Sequence, residues 1–415
     1  MTIVNQRVGC ICAVAAVALI ALGLPPAAAQ EGLKSVAQAI ALEAKDALPI
    51  TPFYDPPKGL SSTKPGALLR QGAFDGYALP AGARAIRILY HSRSAEGLDV
   101  ATSAVVLIPA GPTPAGGWPV IAWAHGTSGV ARQCAPSLMK DVYYGDEGLM
   151  PMVRSGYAVV ATDYHGLGTP GTHQYVSKPA QAYDVVYSVV AARAAVPSLG
   201  DRWVVDGHSQ GGLAAWGVAE LEHARRDPGY LGAVAVAPAS QLREVLTRPR
   251  TSTAASFYLE YLAWAIHART ASFKAADMLT GAALARYSDV TSNGCFYYAY
   301  ASFLGDTKPP VLKAGWNDTP AARRFFRDNE IGATRIGGPL LVLAGEADQT
   351  VPIATVRTTV KNACARGVAL ELRTYPGLDH DPTMENSTPD QLAWIADRFA
   401  GKPSGNDCAR TAGTP

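Results

Sequence analysis

The sequence predicts an α/β fold in which a mainly parallel sheet is covered by helices on both faces. Apolar, β-branched runs alternate with helix-forming segments through most of the chain after residue 85. One strand–turn–helix unit carries the pattern Gly-x-Ser-x-Gly at residues 207–211, and an acidic residue and a histidine follow two later strands. Such alternation is typical of parallel strands joined by crossover helices, which bury both faces of the sheet.

Hydrophobic periodicity and turn residues set the individual elements. Short apolar runs predict strands at 85–92, 102–109, 119–124, 157–162, 203–206, 231–237, 340–344 and 368–375. Helical patterns predict helices at 35–46, 149–155, 180–195, 212–220, 353–365 and 389–398. The chain then divides into an irregular N-terminal arm, a core in two pieces, an insertion and a tail, at 30–84, 85–239 with 336–401, 240–335 and 402–415.

The Gly-x-Ser-x-Gly unit lies between the strand at 203–206 and the helix that begins near Gly212. A serine held at a sharp turn needs glycine neighbours, because the backbone must pass close by without Cβ atoms. The N-terminus of the following helix directs free N–H groups and a positive dipole at the reacting oxygen. This arrangement is the nucleophile elbow of α/β-hydrolases, and it predicts Ser209 as the nucleophile.

An α/β-hydrolase orders its catalytic residues as serine, then acid, then histidine. Asp348, just after the strand at 340–344, is the predicted acid, and Glu346 is the alternative. His380, which follows the last strand and is the last of eight histidines, is the predicted base. His380 would take the proton of Ser209, while Asp348 fixes the imidazole tautomer and stabilises the imidazolium.

The oxyanion of an ester intermediate needs preorganised N–H donors. Gln210 follows the serine and supplies one donor, and the second comes from the turn at Thr127 or the turn at Asp163. Residues 166–171 also fit Gly-x-Gly-x-x-Gly, but Pro170 and the absence of a helical pattern there argue against a dinucleotide site. Neither a cofactor nor a metal is expected, because no clustered Cys and His motif is present.

The insertion at 240–335 is too long for a loop. It is rich in aromatic residues, of which Phe257, Tyr258, Tyr261 and Trp264 have helical spacing. Such a stripe is typical of a self-contained helical subdomain. Its position after the strand that follows the elbow favours a helical cap that also lines an apolar substrate pocket.

Residues 1–29 have the features of a secretory signal peptide, with Arg7, an apolar stretch and Ala27-Ala28-Ala29 as the cleavage site. The alternative is a membrane anchor, but the apolar stretch is at the short limit for a span. The sequence therefore predicts a secreted or periplasmic protein without a stable membrane anchor. A net charge of +2 gives no indication of a nucleic-acid partner.

Four cysteines remain after the signal peptide, and an even number in an exported protein predicts two disulfides. The expected pairs are Cys134–Cys295, which would tie the insertion to the core, and Cys364–Cys408, which would hold the C-terminal tail.

With these motifs the chain resembles the secretory lipase family, lipase-A-like α/β-hydrolases with a large helical cap. The matching stretches are 53–57, 124–127 with 134–137, 163–171, 207–212, 345–348 and 378–380. The resemblance implies a lipase or esterase that acts on small-molecule or lipid esters without a cofactor. It also implies that Asp163 and Gln210 form the oxyanion hole. An acyltransferase or peptidase with the same three residues, and a non-catalytic binding protein, are the alternatives.

Overall fold

The computed structural model describes residues 32–248, 254–308 and 310–408. The predicted signal peptide, residues 1–29, and the end of the predicted tail, residues 409–415, lie outside the described residues. Among the described helices, none has both the length and the apolar character needed to cross a membrane.

Nine strands form one sheet within the described residues. The strands are β1 (Leu68–Ala73), β2 (Arg84–Arg93), β3 (Asp99–Ile108), β4 (Trp118–Ala124), β5 (Ala158–Thr162), β6 (Leu199–His208), β7 (Tyr230–Val236), β8 (Leu340–Gly345) and β9 (Leu370–Tyr375). Their order is β1-β2-β3-β5-β4-β6-β7-β8-β9. Pairs from β1 to β5 in this order are antiparallel, and the remaining pairs are parallel, which confirms the mainly parallel sheet.

The helices alternate with the strands as expected. They are α1 (Val36–Asp46), α2 (Met150–Arg154), α3 (Lys178–Ala195), α4 (Gln210–Arg225), α5 (Leu242–Thr247), α6 (Phe257–Arg269), α7 (Gly281–Val290), α8 (Phe296–Ala301), α9 (Pro320–Asn329), α10 (Ile353–Cys364), α11 (His380–Asn386) and α12 (Thr388–Phe399).

Helices cover both faces of the sheet because alternate residues of each strand point to opposite sides. Val205 of β6 belongs to an apolar cluster that also contains buried residues of α3 and α4. Its neighbour Val204 belongs to a second cluster, with buried residues of α2 and α12. The prediction of a sheet covered on both faces is therefore confirmed.

One strand lies where the sequence analysis expects an irregular arm. Residues Leu68–Ala73 form β1, which pairs antiparallel with β2 at the edge of the sheet. The run contains Arg70, Gln71 and Gly72 and lacks β-branched residues, so it carries no alternating signal. Backbone hydrogen bonds to β2 place it in the sheet. The preceding helix α1 is confirmed, with the side chain of Ser35 accepting a hydrogen bond from the backbone N–H of Gln38.

The insertion is helical and packs directly on the core. It contains α5 to α9, and its fully buried Phe257 and Tyr261 belong to the same apolar cluster as Trp216 of α4. A self-contained subdomain would bury its aromatic residues in a cluster of its own. The shared cluster therefore favours a helical cap attached to the carboxyl edge of the sheet.

Two disulfides join the pairs that the sequence predicts. Cys134–Cys295 connects the loop after β4 to the start of α8, with Cα atoms 5.4 Å apart. Cys364–Cys408 connects the end of α10 to the tail, with Cα atoms 5.2 Å apart. The first bond links the insertion to the core, and the second holds the described part of the tail.

Candidate active site

Ser209 lies at the turn between β6 and α4, as the elbow motif predicts. Its backbone has φ 60° and ψ −115°, a region that costs a non-glycine residue about 1–3 kcal/mol. A Cβ atom on Gly211 would overlap the carbonyl oxygen of Ala124, and one on Gly207 would overlap that of Gly211. The two glycines are therefore required by close backbone packing around the serine.

Asp348 and His380 form the hydrogen bond expected of an acid–base pair. Nδ1 of His380 lies 2.7 Å from Oδ2 of Asp348, and both side chains are buried. The other carboxylate oxygen accepts the backbone N–H groups of Thr350 at 2.8 Å and Val351 at 2.7 Å. Burial lowers the pKa of His380, but the charge and hydrogen bond of Asp348 outweigh it and raise the pKa to about 9.

The alternative acid, Glu346, lies elsewhere. Its carboxylate accepts hydrogen bonds from Arg357 at 3.2 Å and Thr374 at 2.8 Å, and its side chain is partly exposed. No described hydrogen bond joins Glu346 to His380. The geometry therefore selects Asp348 as the partner of the histidine.

His380 begins a short helix that the sequence analysis does not predict. Oδ1 of Asp379 caps α11 by accepting the backbone N–H of His380 at 2.8 Å, and it also accepts that of Gln349 at 2.7 Å. Asp379 thereby links the loop that carries Asp348 to the start of α11. An Asp cap followed by Pro382 in the first turn is a helix-start signal. The start of α11 could therefore have been predicted from the sequence.

Ser209 and His380 line the same cavity. Nε2 of His380 is buried and has no hydrogen-bond partner among the described residues. The ring of His208 lies 4.6 Å from that of His380, and the hydroxyl of Tyr144 contacts Nδ1 of His208 at 3.1 Å. The free nitrogen of His380 thus borders the space in front of the serine, where hydrogen bonds often form only with substrate bound.

Asp163, which the resemblance implies as an oxyanion donor, is engaged in hydrogen bonds with other residues. Its backbone N–H donates to the carbonyl of Ser103 at 2.9 Å, continuing the pairing of β5 with β3. Its fully buried carboxylate accepts hydrogen bonds from Ser103 and Ser137. Thr127, from the alternative turn, lines both cavities that contact Ser209. Gln210 lies in the first turn of α4, where backbone N–H groups have no intrahelical partner.

Two buried histidines of the loops around the serine, His125 and His173, are neutral. Burial lowers the pKa of His125 to about 4 and that of His173 to about 3, so both rings are neutral. His125 contacts the carbonyl oxygens of Gly126 at 2.6 Å and Asp163 at 3.2 Å. These rings therefore support the loops.

One group of three possible metal ligands occurs among the described residues. His208, His380 and Asp381 each offer one ligand atom, and these atoms lie within 4.8 Å of one another. An ion here would compete with a proton for His380, so the group fits acid–base chemistry better than a resident metal. Residues 166–171 form a turn, and α3 starts only at Lys178, so the helix required by a dinucleotide fingerprint does not follow them.

Ser209 separates two small cavities of different composition. The aromatic chamber, of about 50 Å³, is lined by His380, Asp381, Phe257, Phe296 and five tyrosines, which are Tyr143, Tyr144, Tyr258, Tyr297 and Tyr300. The aliphatic chamber, of about 30 Å³, is lined by Gln210 and by apolar residues that include Val176, Leu242, Val245, Leu246 and Val351. Thr127, Tyr258 and Thr350 border both chambers.

A sequence model of the secretory lipase family matches residues 141–407, which is most of the chain. The chain belongs to the secretory lipase family. A probable inactive lipase of Mycobacterium tuberculosis is 24% identical over 87% of this chain and 84% of its own. Lipase 5 of Candida albicans is 25% identical over 86% of this chain and 82% of its own. These matches support an ester hydrolase of the lipase or esterase kind.

Solved structures of this fold are similar over the whole core. Candida antarctica lipase A superposes with a TM-score of 0.72 at 18% identity, over 87% of this chain and 89% of its own. The rice cell wall degrading esterase LipA from Xanthomonas oryzae gives a TM-score of 0.67 at 18% identity, over 82% of this chain and 100% of its own. At this identity the likeness confirms the α/β-hydrolase fold. Because the family includes a relative described as inactive, activity must be argued from the site itself.

Proposed function

We propose that this secretory lipase is an exported serine carboxylester hydrolase that cleaves acyl esters through Ser209, His380 and Asp348. The observation that carries the proposal is the buried 2.7 Å hydrogen bond between His380 and Asp348, beside a serine held at a strained elbow. Strain of this kind persists only where the surrounding structure enforces it, and it is concentrated at functional sites.

The proposed first step is the attack of Ser209 Oγ on the ester carbonyl carbon. Nε2 of His380, which borders the cavity without a partner among the described residues, takes the hydroxyl proton. Asp348 holds the proton on Nδ1 and stabilises the imidazolium that forms. The two amides that bind its second oxygen keep the carboxylate oriented for this role.

The oxyanion is proposed to bind between the backbone N–H of Gln210 and the Thr127 turn. Both lie at Ser209, and each oxyanion donor typically contributes about 3 kcal/mol to the chemical step. His380 then gives its proton to the leaving alcohol, and the carbonyl–oxygen bond breaks to leave an acyl-enzyme. Water attacks the acyl-enzyme with His380 as base and releases the carboxylic acid.

Export is part of the proposal. It is supported by the two disulfides, which form and persist in oxidising compartments, and by the membership of the chain in a secretory family. Sequencing the N-terminus of the protein recovered from the medium or periplasm tests it. Residue Gln30 is the expected start.

The catalytic assignment is tested with Ser209→Ala on p-nitrophenyl butyrate, with a p-nitroanilide of the same acyl group to detect amide hydrolysis. Loss of about 10⁴-fold or more in kcat is expected, because removal of one member disables the whole set. Ser292→Ala, a change of the same kind at an exposed position of the insertion, is the matched control and retains activity. Turnover by Ser209→Ala within tenfold of wild type contradicts the assignment.

A further inference from the structure

The two chambers at Ser209 are distinguished by the position of His380. In the proposed reaction His380 protonates the leaving alcohol, so the alcohol must lie on the side of the serine where the histidine lies. His380 lines the aromatic chamber and is not among the residues that line the aliphatic chamber. The alcohol part of the ester therefore enters the aromatic chamber, and the acyl part enters the aliphatic chamber.

The aromatic chamber is suited to a positively charged group. Five tyrosines and two phenylalanines line it, with Phe257 stacked on Tyr258 at a centroid distance of 4.2 Å. The faces of aromatic rings carry partial negative charge and attract cations, and they do so most strongly where water is excluded. Quaternary ammonium groups are the ligands that such aromatic enclosures recognise in proteins.

The charged residues around this chamber also favour a cation. Asp381 lines it, and the one basic group that could be charged among its described lining residues is His380, which is neutral in the form that accepts the serine proton. Asp141 and Glu147 act electrostatically on the lining Tyr297, as does Asp381. Within the described residues, none of these three acids has an ion pair with a lysine or an arginine.

Two acids near the chamber, Asp141 and Glu147, have raised pKa values. Burial and repulsion by Asp46 raise the pKa of Asp141 to about 7. Burial and repulsion by other acids, including Asp381, raise the pKa of Glu147 to about 8. A cation bound in the chamber would favour the ionised forms of these acids, and their ionised forms would favour the cation.

We propose that the aromatic chamber selects esters whose alcohol carries a quaternary ammonium group, as in esters of choline. This inference rests on the proposed function. The chamber offers about 50 Å³ of space beside Ser209. In the reaction the acyl carbon–oxygen bond breaks, His380 protonates the alcohol oxygen, and the ammonium alcohol leaves with its charge unchanged.

The test compares butyrylcholine with 3,3-dimethylbutyl butyrate, a neutral ester of the same shape, on the purified mature protein by pH-stat titration. The expected kcat/KM is at least about tenfold higher for butyrylcholine, since cation–π attraction in desolvated sites reaches this size. Above pH about 8, where Asp141 and Glu147 are ionised, the ratio is expected to fall as salt is added, because the surrounding carboxylates then contribute through charge. Equal kcat/KM values for the two esters overturn the inference.

Failure of the inference and failure of the proposed function give different results. An enzyme that hydrolyses p-nitrophenyl butyrate and both test esters without preference is an esterase whose chamber does not select cations. A folded protein that hydrolyses none of the three esters overturns the proposed function itself. Inhibition provides a readout without variants: tetramethylammonium is expected to compete with substrate at a concentration at least about tenfold lower than tert-butanol.

Substitutions test whether the aromatic chamber causes the preference for the choline ester. Asp381→Asn and Tyr258→Leu are expected to bring the choline-to-neutral ratio towards one, and the ratio cancels any loss common to both substrates. Asp75→Asn, which removes the same charge from an exposed position after β1, is the matched control and is expected to leave the ratio unchanged. A ratio that survives both Asp381→Asn and Tyr258→Leu contradicts the assignment of the chamber.

Discussion

The carboxylate of Asp163 accepts the backbone N–H of Ser137 at 2.7 Å and its hydroxyl at 2.6 Å. Asp163 ends the strand region of β5, whereas Ser137 lies in the loop that also contains Cys134. The contact therefore anchors this loop to the sheet. It gives Asp163 a structural role in holding this loop.

Asp163→Asn is predicted to change stability with little effect on catalysis. Burial raises the pKa of Asp163 to about 6, against the hydrogen bonds of Ser103 and Ser137. A carboxyl whose folded-state pKa is raised stabilises the fold most below pH about 4 and loses that contribution as the pH rises through about 6. Urea unfolding should therefore show wild type losing stability relative to Asp163→Asn across this range, by about 2–3 kcal/mol. Equal stability of wild type and Asp163→Asn across this pH range would contradict the prediction.

The activity of the wild-type enzyme is predicted to rise with pH up to about 9. His380 must be neutral to accept the serine proton, and Asp348 raises the pKa of His380 to about 9 against the effect of burial. Asp348→Asn removes that charge, so the midpoint of the kcat/KM profile should move to lower pH while the plateau falls by about 10⁴-fold. The measurement is kcat/KM for a non-ionising ester from pH 5 to 10. An unchanged midpoint in the variant would show that another group controls the profile.

Glu346→Gln is predicted to keep kcat/KM within about threefold of wild type. The carboxylate of Glu346 interacts with Arg357 at the surface, and partly exposed pairs of this kind contribute little. This variant and Asp348→Asn make the same chemical change two residues apart, so each is a control for the other. If Glu346→Gln causes the larger loss, the acid has been assigned to the wrong residue.

The acyl chain-length profile is predicted to favour short chains. The aliphatic chamber encloses about 30 Å³, and each buried CH₂ gains about 0.8 kcal/mol only until the space is filled. Leu246→Ala enlarges the chamber and should move the optimum by about two carbons, measured with p-nitrophenyl esters from acetate to decanoate. Leu284→Ala, at an exposed position of α7 that does not line the chamber, should leave the profile unchanged. A rise that continues to decanoate in wild type would show that the acyl chain lies elsewhere.

The sequence predicts the catalytic set because its signals are local. Ser209, Asp348 and His380 each follow an apolar strand, and parallel strands bring their carboxyl ends to one edge of the sheet. The hydrogen bonding of Asp163, in contrast, depends on residues far away in sequence. Its backbone N–H takes part in the antiparallel pairing with β3.

The aromatic stripe of the insertion shows the same limit of local signals. Phe257 and Tyr258 line the aromatic chamber, whereas Trp264 donates its indole N–H to the carbonyl of His173 at 2.9 Å. Tyr261 is fully buried and packs on Tyr175 at a centroid distance of 5.6 Å. Helical spacing places all four residues on one helix. Only the packing of α6 against the core decides which of them face the serine.

Because of the Cys134–Cys295 bond, the assembly of the proposed site depends on the redox conditions around the protein. It fixes the start of α8, where Phe296 donates its backbone N–H to the carbonyl of Ser128 at 2.9 Å, against the turn that carries Thr127. One cross-link thus holds together a wall of the aromatic chamber and the proposed oxyanion turn. In a reducing cytoplasm the newly made chain lacks this cross-link, so it is expected to remain a latent enzyme there. If the protein is exported as proposed, oxidation after export would complete the site.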